Sequence, residues 1–183
     1  MKFVYGMVAA AVLATAMAAS AQQQRPASPP DVARVNVDGA RVAIYYARPS
    51  ITNARNQEKR KIWGGLVPYG KVWRTGANEA TLMTTQRALV FGETVVPPGA
   101  YTLYTLPMED GSAKLIINKQ VGQWGTQYDE KQDVARVDLK KETVAGPVEQ
   151  FTIALERNPA GGGLLKMSWE NTQFSVPFTV QKQ

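Results

Sequence analysis

The stretch PPGAYTLYTLPMEDGSAKLIIN, residues 97–118, decides the fold. Pro97 and Pro98 cannot donate to a sheet ladder, and Gly99 follows them, so these residues break pairing with whatever strand comes before. Tyr101 to Leu106 is then a run of aromatic, β-branched and aliphatic side chains, the composition of a strand. Asp110-Gly111 turns the chain, and Lys114 to Asn118 returns as a second strand. The two halves read as an antiparallel hairpin.

The same grammar extends in both directions. Upstream, Val35 and Val37 alternate with polar residues, Asp38-Gly39 supplies a tight turn, and Val42 to Ala47 resumes. Further short strands are predicted over 81–85, 89–91 and 93–96. Downstream they fall over 134–139, 151–155, 164–169 and 174–180, with Gly161-Gly162-Gly163 connecting two of them. No run of helical length is amphipathic at the helical period. The expected architecture is all-β: a single-domain β-sandwich, jelly-roll-like and predominantly antiparallel, over residues 31–183.

The segment ahead of this domain reads differently. Lys2 is followed by an apolar, alanine-rich run from Phe3 to Met17, and Ala19-Ser20-Ala21 offers the small residues at which a signal peptidase cuts. Residues 1–21 are therefore expected to be a cleaved signal peptide, and residues 22–30, QQQRPASPP, a flexible polar and proline-rich segment. A retained anchor needs about 20 strongly apolar residues, and this run is shorter and diluted with Ala, Thr and Gly. No other stretch is long and apolar enough to span a bilayer. The expected location is exported, periplasmic or extracellular.

Composition narrows the chemistry. The chain has no cysteine and no histidine, which excludes thiol nucleophiles, disulfides, lipid anchoring through cysteine, Ser-His-Asp triads and His-ligated metals. Carboxylate, lysine, arginine, tyrosine and hydroxyl chemistry remain, or no catalysis. No cofactor is expected. Asp129, Glu130 and Asp133 lack the spacing of a calcium loop, so no metal site is assigned.

The net charge of +6 is local. Arg48, Arg55, Lys59, Arg60, Lys61, Lys71 and Arg74 face only Glu58 in their window. Two readings are open: a solvated loop, or an anion-attracting face for a phosphate, an acidic glycan or a membrane surface. Nucleic acid is not an expected partner, because the patch is one loop and no recognition module accompanies it.

Ile62 to Thr81 is the most site-like segment. Trp63 and Trp73 offer stacking faces, and Arg74, Asn78 and Glu79 offer directional polar groups, with Arg48 and Lys61 as further anion contacts. These seven residues are the ligand-binding candidates, for an anionic small molecule or glycan. The same composition also suits a core, with Trp73 inside, Arg74 and Glu79 as an ion pair, and Asn78 serving a turn. No catalytic residue is assigned beyond Glu79 as a candidate. The alternatives are a histidine-free carboxylate hydrolase, pairing Glu79 with Glu93, Asp138 or Glu170, and a purely structural or protein-interaction domain.

The block VPYGKVWRTGANEAT, residues 67–81, carries a resemblance together with Ala47-Arg48-Pro49-Ser50, Pro98 to Tyr104, Trp124 to Asp129 and Met167-Ser168-Trp169. From about Val42 to Val180 the chain resembles a bacterial exported family, domain of unknown function 2911. The resemblance implies an exported single β-domain with no established activity.

Overall fold

Alternation explains why β1 (Pro30–Val37) and β2 (Ala40–Ala47) form a hairpin with one wet and one dry face. Ala33 and Val37 of β1 and Val42, Ile44 and Tyr46 of β2 are buried, while Arg34, Asn36, Arg41 and Tyr45 are exposed. The turn has the left-handed backbone that Asp-Gly favours, with φ of 48° at Asp38 and 74° at Gly39. It fixes the register at Val37 opposite Ala40 and Asn36 opposite Arg41.

A computed structural model describes residues 27–182. The expected signal peptide and most of the polar segment behind it lie outside these residues. The remaining strands are β3 (Thr81–Thr85), β4 (Leu89–Phe91), β5 (Thr94–Val96), β6 (Gly99–Pro107), β7 (Ala113–Asn118), β8 (Asp133–Arg157) and β9 (Gly163–Val180). One turn of 3-10 helix, Glu130–Gln132, precedes β8. All nine strands join a single antiparallel sheet in the order β1-β2-β3-β6-β7-β8-β9-β4-β5. No helix among the described residues is long and apolar enough to cross a membrane.

One local expectation is refined and one corrected. The β6–β7 connection turns at Asp110-Gly111 as expected, but it spans Met108–Ser112: Met108 N donates to Ser112 O, and Gly111 N to Met108 O. The four short strands expected after residue 133 are two long ones. Ala145-Gly146-Pro147 reads as a break, but β8 runs through it by shifting register between Thr143 and Val148 and again before Thr152. Bulges of this kind admit a proline that a regular ladder would reject.

The sheet closes on itself. Between β2 and β8 lie three strands, which in a flat sheet would put them about 19 Å apart. Instead Ile153 N of β8 donates to the Tyr46 hydroxyl of β2 at 2.9 Å. β8 makes the turn: Asp133–Leu139 pairs with β7, and the rest pairs with β9. The halves share one core that draws side chains from all nine strands. Burial of each large aliphatic or aromatic side chain there stabilises the fold by roughly 1.5–3 kcal/mol.

The outer face of β6 and β7 differs from that of β1, β2 and β3. The segment from Lys119 to Gln132 lies over β6 and β7 and buries Thr102, Tyr104, Ile116 and Asn118. Thr102 Oγ1 donates to Gln120 O, Tyr104 OH to Gln127 O, and Asn118 Nδ2 to Asp129 O, which pins the segment down. Nothing comparable crosses β1, β2 and β3 among the described residues, so their outer face is open.

Candidate functional site

The seven sequence candidates do not converge on one site, although Trp73 and Arg74 share a cavity. Trp63 and Trp73 belong to an aromatic cluster with Phe151, Trp169 and Phe174. Trp73 stacks on Trp169 with ring centroids 5.7 Å apart, and its edge meets Phe151 at 4.9 Å, while Trp63 meets Phe174 at 5.3 Å. The Trp63 Nε1 is buried and unpartnered. Trp73 is also fixed through its backbone, which exchanges two hydrogen bonds of 2.8 Å with Thr105 of β6. Trp63 is a packing group, whereas Trp73 packs in the cluster and also lines a cavity with Arg74.

Arg48 is a clamp between β2 and β8. Its Nε donates to Phe151 O at 3.2 Å, one terminal nitrogen to Thr152 Oγ1 at 2.8 Å, and the other lies 3.4 Å from Asp31 Oδ2. Lys61 is exposed, and its carbonyl accepts from Leu66 N. Within the basic window, Arg60 donates to Ser50 O and Ile51 O, and Arg55, Lys59 and Lys71 are exposed. The loop charges are spread over the surface instead of meeting in one cavity.

Arg74 and Glu79, candidates for an ion pair, are not paired among the described residues. Arg74 lines a cavity of about 250 Å³ with Leu66, Pro68, Tyr104 and Tyr128. Its stem runs beneath Gly125, where a Cβ would collide with the Arg74 side chain and come within 2.8 Å of Asn78 O. Asn78, at φ 62°, accepts from Gly125 N. Thr75 is buried with φ 52°, costly for a β-branched residue. Thr105 Oγ1 at 2.8 Å and the Thr81 hydroxyl donating to Thr75 O hold it there.

Tyrosines around this region resist ionisation. Burial, then the Asp133 carboxylate that accepts its hydroxyl proton at 2.6 Å, pushes Tyr128 up to about 12. Burial likewise raises Tyr104 and Tyr46 above the ordinary phenol value. Asp133 also accepts from Asn118 and Arg136, and Glu130 pairs with Arg136, so these acids are engaged in protein contacts.

A larger cavity, about 730 Å³, lies on the open outer face. Ala43 forms its floor because its short side chain sits between longer neighbours: Arg34 opposite on β1 and Thr84 opposite on β3. Asn36, Arg41, Tyr45 and Gln86 complete the walls. Arg34 and Arg41 have no carboxylate within ion-pairing distance among the described residues. Two unpaired guanidiniums, an amide pair and a hydroxyl make a donor-rich cavity suited to an anion.

Tyr45, 42 % exposed, is a ridge shared with a second cavity of about 320 Å³. The second cavity is floored by Ala47, Ala77 and Ala80 and walled by Leu82, Glu79 and Gln123. Glu79 is the single carboxylate in that lining, and Glu93, Asp138 and Glu170 are absent from it. The paired-carboxylate arrangement that a glycosidase needs is not assembled there.

Sequence inspection missed Arg34, Arg41 and Tyr45, although the Asp38-Gly39 turn contained the signal. Once that turn fixes the register, Arg34, Asn36, Arg41 and Tyr45 all point to one face.

The family profile of "Protein of unknown function (DUF2911)" matches residues 28–178. The chain belongs to this family. The match begins just before β1 and ends within β9, so it takes in every strand of the DUF2911 domain. No curated protein and no solved structure matches the chain.

Proposed function

We propose that this DUF2911 chain is an exported β-domain that binds an anionic ligand, an acidic glycan, along the outer face of β1, β2 and β3. The observation that carries this reading is the 730 Å³ cavity in which Arg34 and Arg41 stand without acidic partners beside Asn36, Thr84 and Gln86. A guanidinium presents a planar fork that matches a carboxylate in two hydrogen bonds, and two of them on one face favour an acidic chain over a neutral one. Tyr45 adds an aromatic face on which a sugar ring can lie. The expected signal peptide supports a location where such polymers are met.

Calorimetric titration with trigalacturonate and with neutral maltotriose tests the proposal. Trigalacturonate should bind and maltotriose should not. Arg34→Ala and Arg41→Ala should each weaken trigalacturonate by about tenfold or more, the scale of one charge-assisted hydrogen bond. Equal affinity for the two sugars, or affinity unchanged in the double variant, would overturn it.

A further inference from the structure

Beyond the Tyr45 ridge the surface changes sign. Glu79 and Trp124 are paired across an isolated antiparallel bridge, and residues so paired project their side chains to the same side, with Cβ atoms about 5 Å apart. Both are exposed, Trp124 at 48 %. Glu79 has no side-chain hydrogen bond or ion pair among the described residues. Next to Trp124, Gln123 is 9 % exposed, and its Oε1 is buried and unpartnered, while its Nε2 donates to Tyr104 OH at 3.0 Å and Thr102 Oγ1 at 3.3 Å. Glu79 lines the 320 Å³ cavity, so an unneutralised carboxylate stands there with Trp124, its bridge partner, beside it.

Those groups are complementary to a cation. A carboxylate attracts an ammonium directly, and an indole attracts it through the negative face of its ring.

We infer that Glu79, Trp124 and the cavity beside them form a subsite for a sugar carrying a free amine. The inference rests on the reading of the outer face as a glycan groove and extends it. From Arg41 to Ala47 along β2, the two cavities span about 20 Å at the rise of a strand, so no single sugar reaches both ends. The ligand class is then an oligosaccharide that presents an acidic sugar to Arg34 and Arg41 and an amino sugar to Glu79 and Trp124, with Tyr45 between them.

Trp124 provides the readout, because Trp63, Trp73 and Trp169 are packed inside the aromatic cluster. Tryptophan fluorescence is titrated with glucosamine and with N-acetylglucosamine, which differ in whether the amine carries a charge. Glucosamine should bind about tenfold more tightly, the combined scale of one exposed ion pair and one cation–π contact. Glu79→Gln should remove that preference, and Trp124→Ala should weaken glucosamine in a calorimetric titration. Equal affinity for the two sugars, no binding of either, or a preference that survives in Glu79→Gln would overturn the inference. Trigalacturonate is titrated into Glu79→Gln in parallel. Its binding there keeps the anion-binding reading standing even if glucosamine fails, and its loss in the wild-type chain removes that reading separately.

Discussion

The segment from Ile62 to Glu79 and the β1–β2 hairpin divide two tasks between them. The first is rich in tryptophan, glycine and arginine, and it spends those residues on itself and the core: Trp73 on Trp169, Arg74 beneath Gly125, Thr75 against Thr105. The second is a plain alternating hairpin, yet among the described residues its outer Arg34 and Arg41 are left without partners above a floor of alanine. Chemical variety in a segment therefore does not locate a binding surface here. What marks one is exposed polar groups whose hydrogen-bonding capacity the fold does not consume. In the first segment Glu79 is such a group, while the unpartnered Trp63 Nε1 and Arg74 Nε are buried.

Substitutions can break or sharpen that contrast. The largest effect is expected for Trp73→Ala, which empties the centre of the aromatic cluster and should cost about 3–5 kcal/mol, read as a lower urea midpoint. A loss under about 1 kcal/mol would mean that the cluster contributes little to stability, and the division of tasks would fail. Next comes Arg48→Met. It removes two hydrogen bonds from a charged donor and a partly exposed ion pair, and it should cost about 1.5–3 kcal/mol in the same assay. Full stability in that variant would return Arg48 to the pool of ligand contacts. The smallest effect belongs to Arg34→Ala and Arg41→Ala, each expected within about 0.5 kcal/mol of the parent, since both are exposed and unpaired. A large loss in either would make them scaffold residues, like Arg48.

Much of the fold is legible in the order of residues. Val35, Val37 and Val42 to Ala47 fall in strands because alternation and an Asp-Gly turn are local signals, and every predicted strand overlaps an observed one. β8 escaped because its continuity through Gly146 and Pro147 is enforced from outside, by pairing to β7 at one end and β9 at the other. The candidate site was less legible for a related reason. Glu79 was singled out, but its neighbour Trp124 is 45 positions away and is brought to it by a bridge that no local pattern announces. Arg48 and Arg74 drew notice by charge, whereas their engagement with Phe151, Thr152 and Gly125 depends on tertiary contacts.

The path of β8 also governs when the domain can become stable. Arg48 and Tyr46 find their partners more than 100 positions later in the chain, and contacts of such separation place a protein among the slow folders, in the range of milliseconds to seconds. During synthesis, at roughly 5–20 residues per second, the stretch from Asn118 to Val180 takes roughly 3–12 s to emerge. Throughout that interval β1 to β7 exist with the apolar side of the sheet uncovered. The nascent chain is then a half-molecule whose apolar face stays open to unwanted contacts until β8 and β9 arrive.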